Sequence, residues 1–162
     1  MGNPTRGDDG AGPAVVQELS GSGVQALDAG DAPERYLGPM TESGAEVIVF
    51  VDAVDFGGKP GEAALLDERE LPRRSCVTHR SSLSLVMRYL REQAGQRSVL
   101  IGIQPGSLAP GSGLTPPVRR AVKGVAAAVR EALGSSPGGA GSSGAGGAEA
   151  LNPPARGKRV QR

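Results

Sequence analysis

The apolar run EVIVFVDA, at residues 46–53, constrains the fold of this chain more than any other segment. Its β-branched residues follow one another without the alternation of apolar and polar side chains that marks a half-exposed strand. A continuous run of this kind is typical of a strand that is covered on both faces, as in a parallel sheet. We therefore predict a strand at Glu46–Ala53 with both of its faces buried.

Strand and helix patterns alternate along the chain. Ser81–Gln93 is predicted to be an amphipathic helix because its apolar residues recur at helical spacing: Leu83, Val86, Met87 and Leu90. The other predicted helices are GPAVVQELS, one turn in APERYLGPM, and PVRRAVKGVAAAVREAL between Thr115 and Gly134; the other predicted strands are Val24–Ala29, Glu62–Leu66 and Arg97–Pro105. This order predicts an α/β fold, a three-layer, doubly wound, mostly parallel twisted sheet flanked by helices.

The C-terminal part of the chain has a different composition. From Gly134 onward, glycine, serine and proline dominate, and large apolar side chains are almost absent. Such a segment cannot bury enough surface to offset the chain entropy that folding would cost. We therefore predict one domain at residues 1–133 and a disordered tail at residues 134–162.

Charge and composition argue against several classes of partner. The 18 Lys and Arg residues nearly balance the 17 Asp and Glu residues, and only 2% of residues are aromatic, so we expect no nucleic acid partner. The longest apolar run is too short to cross a bilayer, so we expect no membrane partner. Cys76 is the only cysteine, which excludes an internal disulfide. Because no signal peptide pattern is present either, we expect a cytoplasmic protein.

Three polar residues are predicted to meet at one edge of the sheet. Asp52 is the first charge after the apolar run, so it lies at the carboxyl end of that strand, where ligands of open α/β sheets gather. Asp9 lies in the opening loop GNPTRGDDGAGP, which leads into the first helix, and His79 lies in the loop before the helix at Ser81. Both loops can reach the same edge as Asp52.

Two carboxylates and one imidazole form a mixed oxygen and nitrogen ligand set. Such a set suits nickel, zinc or iron better than magnesium. Three protein ligands leave positions open for water or a substrate group, as catalytic metal sites require. The residues alone leave a plainer interpretation open, in which His79 is a surface residue and Asp52 caps a nearby amide.

Other motifs of the chain give weaker functional signals. GDDGAGP resembles a phosphate-binding glycine loop, but its two aspartates would repel a phosphate and neither nucleotide-binding consensus is present. Cys76 and His79 lie three residues apart in one loop, and no GxSxG elbow surrounds the serines of residues 81–84. Asp28 and Asp31 are interpreted as turn residues.

Five motifs, taken together and in order, carry a family resemblance: GNPTRGDDGAGP, LDAGDAPE, VDAVDFGGKPGE, THRSSLSL and LIGIQP. The chain resembles the nickel–iron hydrogenase maturation endopeptidases from Gly2 to about Leu133, and most closely the branch that serves formate-hydrogenlyase-type large subunits. The resemblance implies removal of a C-terminal extension from a large subunit precursor that already carries nickel. It also implies that Asp9, Asp52 and His79 contact the metal.

The resemblance leaves the chemical step open. Either Asp9 or Asp52 activates water as a general base while the metal positions the peptide, or the metal polarises the scissile carbonyl or the water directly. With so few candidate ligands, we expect the resting site to be empty or weakly occupied. Asp8 is expected to orient the loop of Asp9 or to favour the helix start. The glycines of DFGGKPG are expected either to let backbone approach a ligand or to serve turn geometry: Gly57, Gly58 and Gly61.

Two other functions remain compatible with these residues. The first is a nickel and large-subunit binding protein, or an inactive remnant, that docks without cutting. The second is an unrelated metal-dependent hydrolase of the same architecture.

The resemblance also implies a short apolar strand ahead of the opening loop, ending where Met1 stands. We expect that the start was assigned too late, at a valine GTG codon. Five buried apolar side chains contribute roughly 8–15 kcal/mol, at about 1.5–3 kcal/mol each. That is comparable with the whole stability of a domain, about 5–15 kcal/mol. A chain without this strand is therefore expected to fold poorly and to expose strand edges.

Overall fold

A three-stranded sheet carries the two longest apolar runs side by side. The computed structural model describes residues 1–66 and 80–134. The strands are β1 (Val47–Ala53), β2 (Ala63–Leu66) and β3 (Arg97–Ile103), and the helices are α1 (Ala11–Glu18), α2 (Leu37–Glu42), α3 (Arg80–Gln93) and α4 (Pro116–Gly134). Short 3-10 helices at Gly7–Gly10 and Pro33–Tyr36 precede α1 and α2.

The sheet has the strand order β1-β3-β2. β1 and β3 run parallel, with Asp52 opposite Gly102, whereas β2 runs antiparallel to β3. The predicted α/β class is therefore confirmed, and the sheet is mixed, with one parallel and one antiparallel pair. The parallel pairing brings the carboxyl ends of β1 and β3 to the same edge of the sheet.

Helices cover both faces of the sheet, which confirms the three predicted layers. Helices α1 and α4 pack together with β1 and β3 on one face, in a core that includes Val15, Val118 and Ile103. Helices α2 and α3 close the other face, where Met40, Leu90 and Leu100 are buried. The predicted apolar stripe of α3 lies in this second core, since all four of its residues are buried.

The prediction of a strand at Val24–Ala29 is wrong, because the structure gives this segment no regular secondary structure. A strand requires a hydrogen-bonded neighbour, and a cavity of about 560 Å³ separates this segment from β1. Apolar side chains of α1 and α4 also line the cavity, among them Val15, Leu19 and Val129.

This cavity also corrects the prediction that β1 is buried on both faces. Only Phe50 and Ala53 of β1 are buried, and its other residues are half-buried. The reason is that β3 covers one edge of β1, while the cavity runs along Val47–Val51.

Several predictions fall outside the part of the chain that the structure describes. These include the proposed tail beyond Gly134, the domain boundary that depends on it, and the loop that carries Cys76 and His79. Helix α4 extends to Gly134, the last residue of the described range. Within residues 1–66 and 80–134, no helix has both the length and the apolar character needed to cross a bilayer.

Candidate active site

Asp52 occupies the predicted position at the carboxyl end of β1. It stands opposite Gly102 of β3, one residue before the strand ends, and its side chain is half-buried. Its Oδ1 accepts a hydrogen bond of 2.9 Å from the backbone nitrogen of Ala53. A strand followed by a carboxylate thus places a charged group at the sheet edge while its apolar residues pack between the helices.

Asp9 reaches the same edge from the 3-10 helix that leads into α1. It is half-buried, and its Oδ2 accepts a hydrogen bond of 3.1 Å from the backbone nitrogen of Asn3. Gly2 lies close to both acidic residues and has a φ of 111°. A Cβ at Gly2 would collide with the carbonyl oxygen of Asp9 and would lie 3.5 Å from Oδ1 of Asp52. The structure therefore brings the backbone of Asp9 and the carboxylate of Asp52 next to the same glycine.

The Met1 ammonium group lies in the same region. It donates a hydrogen bond of 2.7 Å to the carbonyl oxygen of Val51. Burial lowers the pKa of this ammonium from its ordinary value, and the charges of Asp52, Asp28 and Asp9 partly oppose that shift. The negative potential of the acidic residues at this edge therefore reaches the start of the chain.

Asp8 has a structural role that is separate from that of Asp9. Its side chain is fully buried, and Oδ2 accepts hydrogen bonds from the backbone nitrogens of Gly106 at 2.8 Å and Ser107 at 2.9 Å. Thr115 donates two more, from its backbone nitrogen to Oδ1 at 2.6 Å and from its hydroxyl to Oδ2 at 3.0 Å. Four donors thus satisfy a buried charge that would otherwise be costly.

These bonds show the structural role of Asp8, the neighbour of Asp9. Asp8 does not cap α1 with its side chain, although its residue lies just ahead of that helix. It joins the loop of Asp9 to the segment that follows β3 and to the start of α4. The loop that carries Asp9 is therefore held against two other elements of the fold.

Gln104 also lies at this edge, and no sequence motif predicted a role for it. It directly follows β3, and its side-chain Oε1 accepts hydrogen bonds from the backbone nitrogens of Phe56 at 2.9 Å and Gly58 at 3.1 Å. Its Nε2 donates to Oδ1 of Asp55 at 3.1 Å. The sequence signal for this residue is a polar side chain directly after the apolar run LIGI, and its burial is seen only in the structure.

Glycines in the loop after β1 serve turn geometry and close packing. Gly57 has a φ of 81° and Gly61 a φ of 84°, a backbone region that other residues rarely adopt. A Cβ at Gly61 would also lie 2.7 Å from the backbone of Pro117 at the start of α4. Asp28 likewise acts in a turn, as predicted, since its Oδ1 accepts a hydrogen bond of 2.9 Å from the nitrogen of Gly30.

The third predicted ligand, His79, lies outside the described residues, as does Cys76. The segment that contains both joins β2 to α3. In the described parts of the chain, no group of three or more His, Cys, Asp or Glu side chains could hold a metal ion. Of the three predicted ligands, the structure therefore describes only Asp9 and Asp52. The metal-binding role of all three residues stays a prediction.

Comparison with known proteins gives a consistent family assignment. Residues 14–132 match the family model described as hydrogenase maturation protease. The hydrogenase 3 maturation protease of Escherichia coli K12 is 32% identical over 128 residues, which cover 76% of this chain and 81% of that protein. A putative hydrogenase maturation protease of Methanocaldococcus jannaschii is 34% identical over 110 residues, covering 64% of this chain and 71% of its own.

Solved structures agree with this assignment. The NiFe hydrogenase maturation protease HycI of Thermococcus kodakarensis has a TM-score of 0.74 and 33% identity, covering 82% of this chain and 88% of its own. The hydrogenase maturating endopeptidase HybD of E. coli has a TM-score of 0.64 and 29% identity, covering 81% and 89%. The fold and these similarities lead to one conclusion: the chain belongs to the hydrogenase maturation protease family and is an endopeptidase.

Proposed function

We propose that this endopeptidase removes a C-terminal extension from the nickel-loaded precursor of a nickel–iron hydrogenase large subunit. The observation that carries this proposal is the placement of Asp9 and Asp52 close to the same residue, Gly2, at the carboxyl edge of the sheet. Similarity to a protein named hydrogenase 3 maturation protease supports the class of substrate. A cytoplasmic site of action is part of the proposal, because a single cysteine allows no internal disulfide.

Nickel enters this proposal as part of the substrate. Two half-buried carboxylates offer oxygen ligands, and His79 would add one nitrogen, a set that suits a borderline divalent ion. Because a set of this size does not fill the coordination sphere, the precursor's own ligands can stay on the ion. Cleavage then depends on nickel, since the ion contributes to docking of the precursor.

The chemical step adds water across one peptide bond. Asp9 suits the role of general base because Asn3 holds its Oδ2, and its Oδ1 accepts no hydrogen bond from the described residues. Asp52 is the alternative base, since it lies at the same edge. The base takes a proton from water, the water oxygen bonds to the carbonyl carbon, and the proton passes to the leaving amine as the C–N bond breaks.

Mass measurement of the precursor tests this function. The full chain is incubated with the large subunit precursor, once loaded with nickel and once without it. We expect a shorter large subunit and a released C-terminal peptide only in the nickel-loaded sample. Binding without any loss of mass would favour the non-cleaving alternative. Cleavage of generic peptides without nickel would favour an unrelated hydrolase.

A further inference from the structure

Two buried glutamines flank β3, one at each end of the strand. Gln96 precedes the strand and is 6% exposed, and Gln104 follows it and is 7% exposed. Gln96 donates hydrogen bonds of 2.9 Å to the carbonyl oxygens of Met40 and Ala45, which lie at the end of the sheet away from Asp52. Only Gln104 stands at the carboxyl edge, next to the candidate active site.

Gln104 fixes the course of the loop that leaves β1 after Asp52. Its carboxamide bonds with three residues of that loop, accepting from the backbone nitrogens of Phe56 and Gly58 and donating to Asp55 Oδ1. Its backbone binds the far side of the loop, because Gln104 N donates to the Glu62 carbonyl and Gly61 N donates to the Gln104 carbonyl, both at 2.8 Å. One residue therefore organises both ends of the turn.

The loop held by Gln104 adjoins the elements that carry the acidic pair. It begins directly after β1, where Val54 donates a hydrogen bond of 2.9 Å to the carbonyl oxygen of Ile103. Its Pro60 lies 3.2 Å from the position that a Cβ on Gly106 would take, and the nitrogen of Gly106 donates to Asp8. The loops after β1 and β3 thus contact each other at the edge of the sheet that holds Asp9.

The outer side of this loop presents charged side chains and bare backbone to solvent. Asp55, Gly57 and Lys59 are exposed. An extended peptide that crosses the edge beside Asp52 would pass along these groups. Glycines at positions 57 and 58 give this loop conformational freedom, which the bonds from Gln104 restrict together with the bond of 3.1 Å that Gly57 N donates to Asp55 Oδ1. Ordering the loop beforehand reduces the entropy that peptide binding costs.

We propose that Gln104 is a positioning residue that holds the Asp55–Gly58 loop as the rim on which the substrate peptide docks. This inference rests on the proposed function, because it assigns the loop to binding of the precursor's polypeptide. Gln104 contributes to docking through the loop, and the proton transfer stays with Asp9 or Asp52. Loss of Gln104 therefore weakens binding of the precursor and leaves the chemical step unchanged.

The first test compares Gln104→Leu with Gln96→Leu, which removes a buried carboxamide at the opposite end of the same strand. Precursor binding and cleavage are measured on folded protein of each variant. For Gln104→Leu we expect a rise of about tenfold in Kd and KM with kcat within about threefold of wild type. For Gln96→Leu we expect lower stability and an unchanged Kd. Equal Kd values for both variants and wild type would overturn the proposal.

The second test exchanges the carboxamide of Gln104 and the carboxylate of Asp55. Gln104→Glu keeps the acceptor for Phe56 and Gly58 but places a second carboxylate against Asp55, so it should also weaken precursor binding by about tenfold. Adding Asp55→Asn removes the repulsion and restores a donor in this pair, so the double variant should return to within about threefold of wild type. A double variant that binds no better than Gln104→Glu would contradict the positioning role.

The same samples test the proposed function separately, through binding and cleavage of the precursor by wild-type protein. Wild-type protein that binds the precursor without cleaving it would refute the endopeptidase reaction, while the Kd values would still decide the role of Gln104. Wild-type protein that neither binds nor cleaves the precursor would overturn both.

Discussion

Thr115 donates two hydrogen bonds to the carboxylate of Asp8, from its backbone nitrogen at 2.6 Å and from its hydroxyl at 3.0 Å. These residues lie 107 positions apart in the chain. Because Asp9 follows Asp8 directly, this pairing fixes the start of α4 and the loop of Asp9 relative to each other. The position of the proposed base therefore depends on a buried neighbour that does not itself react.

Asp8→Asn should destabilise the protein by about 2–4 kcal/mol, because an amide replaces one acceptor oxygen of a buried carboxylate that serves four donors. Urea unfolding measures the change. Asp31→Asn, at an exposed aspartate, is the matched control and should change the free energy of unfolding by less than about 0.5 kcal/mol. Equal effects of the two substitutions would contradict the assigned role of Asp8.

At least one of the substitutions Asp9→Asn and Asp52→Asn should strongly slow cleavage, and neither should unfold the chain. Each amide keeps an oxygen that can accept the bond from Asn3 or Ala53, so stability should stay within about 1 kcal/mol of wild type. Loss of a general base should slow cleavage by about 10²–10⁴-fold in at least one variant. The control is Glu131→Gln, at an exposed position of α4. Wild-type rates in both aspartate variants would refute this site.

His79→Ala should remove the advantage that nickel gives to precursor binding. We expect wild-type protein to bind nickel-loaded precursor at least about tenfold more tightly than nickel-free precursor, since a ligand bond contributes only when the ion is present. In the variant, the two affinities should converge. A binding ratio that His79→Ala leaves unchanged would show that His79 does not contact the ion.

An apolar extension of five residues ahead of Met1 should stabilise the protein by filling the cavity beside β1. The cavity is lined mainly by apolar side chains and runs along Val47–Val51, where an additional strand has room to pair. Burial of such side chains should add at least about 2 kcal/mol to the free energy of unfolding. A Gly and Ser extension of equal length is the control. Equal melting temperatures for both extended chains would show that the cavity does not accept a strand.

The stability of the chain that begins at Met1 should rise with pH toward about 8. Burial lowers the pKa of the folded ammonium below its ordinary value of 8.0, so the unfolded state binds the proton more tightly. The stability gained by having the Met1 amine uncharged is therefore complete above pH 8.0 and is lost as pH falls through the pKa of the folded state. The apolar extension converts this ammonium into an amide, and the extended chain should lack that part of the pH dependence. If the free energy of unfolding depends on pH identically in the two chains, this prediction is wrong.

Local patterns predicted most of the elements, and residues distant in the chain determined the rest. The continuous run before Asp52 predicted β1 and its acidic end, and helical spacing predicted the buried face of α3. Val24–Ala29 has a strand-like composition but no strand neighbour, which no local pattern can reveal. The family resemblance, confirmed by comparison, supplied the link between Asp9 and Asp52 that spacing alone left open.

The supporting residues of the site were harder to predict than its acidic pair. Asp8 bonds to residues 98–107 positions away, and Gln104 to residues 46–49 positions away. Nothing near either residue in the sequence indicates these partners. The partners of Gln104 become understandable when the parallel pairing of β1 and β3 brings their following loops together. Those of Asp8 become understandable when the loop of Asp9 lies against the segment that follows β3.

A crystal structure of the full chain bound to nickel-loaded large subunit precursor tests the central claim most directly. The account predicts that one nickel ion lies within bonding distance, about 2.0–2.2 Å, of carboxylate oxygens from Asp9 and Asp52 and of a ring nitrogen from His79. A complex in which His79 lies on the far side of the molecule, or in which the ion contacts neither aspartate, would contradict it.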